Sequence, residues 1–151
     1  FAVEAGKQRD EDDVEAEKAY SPEPPPIQLQ VASDSDLDVS KPTLKIIQSQ
    51  SEMNQTIKQL GIKKSDVAPV DFKTRQAVLV QFSPQPGGTQ PQMQDVSVKD
   101  GTIVVKVARI TPGEGCKGQG KKTRPFTLVE TRKMTETKTE LKIDDVNGSP
   151  C

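Results

Sequence analysis

Two cysteines, Cys116 in a Gly/Lys-rich loop and Cys151 at the last position, have the widest chemical repertoire in this chain, and it contains no histidine. Zinc and haem sites draw on imidazoles or on clusters of thiolates, so both chemistries lack their ligands here. A serine or cysteine nucleophile needs a base. Without imidazole the options are a Ser-Lys pairing or paired carboxylates, and no spacing in the sequence recommends either. Cys116 among lysines could be a reactive low-pKa thiol, or the two cysteines could be unrelated free thiols. An even pair placed at a loop and a chain end reads best as one Cys116–Cys151 disulfide, worth ~3 kcal/mol through the loop it closes. Such a bond implies an oxidising compartment. No catalytic residue, metal ligand or cofactor is expected, and the chain reads as a non-enzymatic protein.

The loop around Cys116, Gly115-Cys-Lys-Gly-Gln-Gly-Lys-Lys122, superficially resembles a phosphate-binding loop. That motif requires GxxxxGK[ST] between a strand and a helix whose N-terminus faces the phosphate, whereas the sequence after Lys122 turns into a strand. A solvated basic loop able to contact an acidic partner surface is the better reading. The wider positive charge is also not a nucleic-acid signature. Residues 40–134 carry sixteen Lys and Arg against seven acids, but the chain has only four Phe, one Tyr and no Trp for stacking bases. No nucleic-acid partner is expected.

Residues 1–26 have the opposite charge, with eight acids against three bases, and end in Ser-Pro-Glu-Pro-Pro-Pro. This composition cannot bury enough apolar surface to offset chain entropy, which predicts a flexible arm with a stiff polyproline hinge. A short helix over Val14 to Tyr20 is the alternative, with an apolar face too thin to dock alone. No transmembrane run or signal peptide is visible, so a secreted protein would be seen here in mature form beginning near Phe1.

The remaining residues, 27–151, predict a single β-rich domain. Ile27, Leu29 and Val31 alternate with polar or small residues, the period of a half-buried strand that could pair with its own body or be lent to a neighbour. Leu44, Ile46 and Ile47 form the next strand. Ser49 and Glu52 make a capping box before Met53, Ile57 and Leu60, with Gly61 as terminator, predicting one amphipathic helix over about 51–60. Val70-Asp-Phe72 and Ala77 to Phe82 read as a strand buried partly on both faces. Gln92 to Val98 and Thr102 to Ile110 flank Asp100-Gly101, a strong hairpin turn, with Ile103, Val105 and Val107 on one face. Pro125 to Thr131 and Lys138 to Ile143 supply the last strands.

The order Val70-Asp-Phe72, Val78-Leu-Val80, Pro86-Gly87-Gly88, a hairpin, Val105 to Pro112-Gly113, Cys116 and Arg124-Pro-Phe-Thr-Leu-Val129 resembles the PrcB C-terminal domain family over about residues 42–134. The resemblance implies an envelope or secreted protein without enzymatic activity, named after a lipoprotein that associates with and supports a protease complex. The sequence departs from that pattern where the family's aromatic follows glycine, since Thr89-Gln90 stand there. The Gly87-Gly88 loop, the second Gly loop and Arg124-Pro125-Phe126 also resemble chagasin-like cysteine-protease inhibitors, whose loops fill a protease cleft. Arg124-Pro125-Phe126 can equally open a strand with a core Phe, the favoured reading.

The expected fold is therefore α+β, mostly β, with an antiparallel sheet of five to seven strands curled over one short helix. The expected function is binding another protein, either a protease complex or a like subunit, at a secreted, periplasmic or cell-surface location. The candidate contact residues are Ile27, Leu29, Val31, Gly87, Gly88, Arg124 and Phe126. Homo-oligomerisation through the N-terminal arm, giving a self-assembling structural subunit, is the alternative.

Overall fold

Apolar runs that alternate or are continuous decide which strands are covered on one face and which on both, and this sorts the chain into layers. The computed structural model describes residues 27–117 and 120–151. The acidic arm of residues 1–26 lies outside the described residues, as do Gly118 and Gln119 of the basic loop. In chain order the elements are β1 (Ile27–Asp34), β2 (Thr43–Ile47), α1 (Gln50–Leu60), a 3-10 turn (Lys64–Asp66), β3 (Arg75–Gln81), β4 (Gln85–Pro86), β5 (Gln90–Lys99), β6 (Thr102–Thr111), β7 (Lys122–Thr123), β8 (Pro125–Arg132) and β9 (Lys138–Asn147).

A four-stranded antiparallel sheet in the order β1-β8-β3-β2 forms the middle layer. Its inner strands β3 and β8 are buried along almost their whole length, as continuous Ala-Val-Leu-Val and Phe-Thr-Leu-Val runs require. One face packs on α1, where Met53, Ile57 and Leu60 meet Ile47, Ala77, Leu79, Phe126 and Leu128. The other face, with Val78, Val80, Phe82 and Val129, packs on Val96, Ile103, Val105 and Val107 of a three-stranded sheet in the order β5-β6-β9. The mostly β fold with one short helix is as the sequence implies. The strands form two stacked sheets and a two-residue β4–β7 pair, because β3 and β8 have apolar side chains on both faces and need a cover on each.

The local signals in the sequence account for the element ends. The Ser49 hydroxyl accepts the Glu52 backbone N–H at 3.2 Å, and Gly61 ends α1 in the left-handed conformation at φ 75°. Asp100 (φ 52°) and Gly101 (φ 76°) both take positive φ, as a two-residue hairpin turn of matched twist demands. Val70-Asp-Phe72, read from sequence as strand, is instead a turn: the Asp71 carbonyl accepts from Thr74 and Arg75, and its carboxylate accepts from Lys73. Val70 and Phe72 still pack on the helix-side core.

β9 pairs with β6 in parallel, a departure from the all-antiparallel expectation. The chain leaves β6, crosses to β8 in the other sheet and returns, and a crossover of this kind brings parallel strands together. Arg109 of β6 clasps Asp145 of β9 through two hydrogen bonds of 2.6 and 3.1 Å, and its guanidinium lies 5.5 Å from the centroid of the Phe82 ring. The hydrogen bond from Arg109 holds the Asp145 carboxyl below its ordinary value. A carboxyl whose folded pKa is lowered stabilises the fold above its unfolded pKa and loses that contribution as pH falls through the folded value. Asp145→Asn should therefore destabilise the neutral protein by less than about 1 kcal/mol, since the pair is surface-exposed. The difference in melting temperature between variant and parent should vanish below the usual carboxylate range. A difference unchanged in acid would contradict this account of the clasp.

Candidate protein-binding groove

β1 and β5 are edge strands of different sheets and lie side by side where the two layers meet. Among the described residues each is backbone-paired on one side only, β1 with β8 and β5 with β6. Both strands carry a bulge. Gln30 is the extra residue between Leu29 and Val31, and Gln94 the extra residue between Met93 and Asp95. The Gln30 side chain is held in place, donating to Glu130 and accepting from the Ala68 backbone.

The bulge in β1 changes what the alternation of Ile27, Leu29 and Val31 means. In a regular strand the three would share a face, but one inserted residue reverses the facing of everything after it. Leu29 stands opposite Val129 on the side of the second sheet, whereas Val31 stands opposite Leu128 on the helix side. Ile27 packs on the inter-sheet core, Val31 packs on the helix-side core, and Leu29 stays 63% exposed.

Exposed Leu29 borders a groove of about 420 Å³ along the seam, shared with Ile27, Pro91, Met93 and Val129. A further recess of about 310 Å³ continues it past Ala32 and Pro91 to Asp34, Thr89 and Pro125. The Thr127 hydroxyl, buried in a residue 1% exposed beneath the groove, has no hydrogen-bond partner among the described residues. The site thus combines apolar walls and two strand edges, both suited to an extended polypeptide.

The other candidate residues divide between this groove and the scaffold. Buried Gly87 and exposed Gly88 (φ 90°) form the turn between β4 and Thr89, at the upper end of the groove. A Cβ on Gly88 would come within 3.3 Å of Pro112. The β4–β7 pairing sets this turn beside the Cys116 loop. Arg124 donates to the Ser35 carbonyl and to Asp38, each at 3.0 Å, and so pins the β1–β2 connection. Phe126 is 0% exposed in the helix-side core and has no surface to present to a partner, which makes Arg124-Pro125-Phe126 a strand start. Cys116 and Cys151 form a disulfide with Cα atoms 4.9 Å apart. It ties the tail after β9 to the loop after β6.

Met93, Pro91 and Thr127 also line the groove, and they are not among the candidates that the sequence suggests. Proline inside a strand marks an unpaired edge, and that signal was present at Pro91. Nothing in a Phe-Thr-Leu-Val run discloses which sheet will cover Thr127. Among the described residues no group of three or more acidic or cysteine side chains converges as a metal site, and no helix is long and apolar enough to cross a membrane.

No family model, curated protein or solved structure matches this chain.

Proposed function

We propose that this chain is a non-enzymatic binding module that takes an extended stretch of another protein into the groove between β1 and β5, acting as an accessory subunit that binds and supports a protease complex. The observation that carries the binding role is the seam itself: exposed Leu29 on an apolar wall between two strand edges. The bulges at Gln30 and Gln94 interrupt both edges, so the occupant is a short segment held by side-chain contacts more than by a long backbone ladder. The partner class rests on the resemblance of residues 42–134 to the PrcB C-terminal domain family. The disulfide supports an oxidising location, secreted, periplasmic or at the cell surface.

Leu29→Arg places a charge on the apolar wall at a position too exposed to matter for folding. The parent used as bait in an envelope extract should recover a protease subunit. The variant should recover it about five- to thirtyfold less, the effect expected of a contact worth about 1–2 kcal/mol. Equal recovery by both baits would refute the groove as the binding surface.

An inhibitor reading has one observation in its favour, the side-by-side placement of the Gly87-Gly88 turn and the Cys116 loop through β4 and β7. Its third loop is committed to the fold through Arg124 and Phe126. Stoichiometric inhibition of a papain-type protease that Leu29→Arg leaves intact would favour this reading over the groove.

A further inference from the structure

The outer edge of the three-stranded sheet is β9, which among the described residues is hydrogen-bonded to β6 on one side only. Unlike β1 and β5, it keeps register over all ten residues without a bulge, from Thr102↔Lys138 to Thr111↔Asn147, and it contains no proline. An uninterrupted edge of this length is a template for another strand. Leu141 and Ile143 point into the inter-sheet core. The alternate positions Lys138, Glu140, Lys142 and Asp144 are exposed and lie on the opposite face.

These four charges are self-complementary about Leu141. If two copies of β9 run antiparallel with the two-fold axis at Leu141, Lys138 falls opposite Asp144 of the second copy and Glu140 opposite Lys142, and symmetry repeats both pairs. Moving the axis to Glu140 sets Glu140 against itself and Lys138 against Lys142. Moving it to Lys142 sets Lys142 against itself and Glu140 against Asp144. Opposite charges directly across an antiparallel pair stabilise it and like charges oppose it. Axes at Thr139 and Ile143 also set opposite charges across, Lys138 against Glu140 and Lys142 against Asp144, but the axis at Leu141 is the one that pairs all four of these charges. Lys142 also lies in register beside Lys106 of β6. Lys106 has Asp95 of β5 in register on its other side, and for Lys142, at the edge, Glu140 of a second copy supplies the opposite charge.

We propose that β9 is a homodimerisation edge, joining the three-stranded sheets of two copies into one six-stranded sheet through a closed two-fold interface. The β1/β5 groove lies at the opposite edge of the same sheet, so the dimer presents two open grooves.

Light scattering after size exclusion tests this with the full chain. The parent should run at twice the chain mass at micromolar concentration. Lys142→Glu alone, which sets acids against Glu140, and Glu140→Lys alone, which sets lysines against Lys142, should each weaken association by about tenfold or more and run as monomers. Mixing the two variants, or combining both substitutions in one chain, restores opposite charges and should restore the dimer mass. Circular dichroism of each variant checks that these exposed changes leave the fold intact. A monomeric parent up to hundreds of micromolar would overturn the proposal. So would a dimer that survives both single reversals, or single-variant monomers that neither mixing nor the double swap rescues.

Discussion

Replacing Phe126 with alanine should destabilise the chain by about 3–5 kcal/mol, as expected for truncating a fully buried aromatic. Phe126 is 0% exposed, stands opposite Gln81 of β3 and Ser33 of β1, and packs with Met53, Leu60 and Leu128 under α1. β8 is hydrogen-bonded on both sides, so the backbone around the lost ring cannot easily collapse into the space. Equilibrium urea unfolding of parent and variant checks the magnitude. Phe126→Leu, which keeps most of the volume, should lose far less. A cost below about 1 kcal/mol for the alanine variant would contradict the core position and return Phe126 to the candidate contact surface.

Removing the disulfide by Cys116→Ser with Cys151→Ser should cost about 3 kcal/mol and redistribute stability locally. The bond closes a loop of sequence separation 35 that spans β7, β8 and β9. Around it the tail runs against the loop after β6: the Cys151 N–H donates to the Glu114 carbonyl at 2.9 Å and the Gly148 N–H to the Thr111 carbonyl at 2.7 Å. Gly113 has no room for a side chain beside the Ser149 carbonyl, which makes this contact dependent on glycine. Hydrogen exchange should therefore show lost protection over residues 111–117 and 148–151, with β3 and β8 still the slowest elements. Uniform loss throughout the domain would mean that the staple acts only on the unfolded chain. No change in stability would mean that the tail contributes nothing to the fold.

The parts of this architecture legible in the sequence are those set by neighbours in the chain. Ser49, Glu52 and Gly61 delimit the helix, and Asp100-Gly101 fixes the hairpin, because caps and turns draw on residues a few positions apart. The cysteine pairing follows from there being two. The layering was less legible: the apolar runs of β3 and β8 announce burial on both faces, but they do not say that a second sheet with a parallel strand supplies the cover. The candidate groove was only half visible. The alternation of Ile27, Leu29 and Val31 implies one shared face, and the bulge at Gln30 that turns Val31 to the other face is accompanied by contacts with Glu130 and Ala68, far away in sequence. Arg124-Pro-Phe shows the reverse case, a motif that resembles a recognition loop but serves the fold through Ser35, Asp38 and the helix-side core.

The central claim is that the β1/β5 seam holds a segment of a partner protein, and site-specific photocrosslinking tests it most directly. A photoreactive residue at position 29, on the groove wall, should crosslink the recovered protease subunit at a segment of extended sequence with apolar side chains. The same probe at position 58, on the exposed face of α1, should not. Crosslinking to the partner from position 58 and not from position 29 would contradict the account.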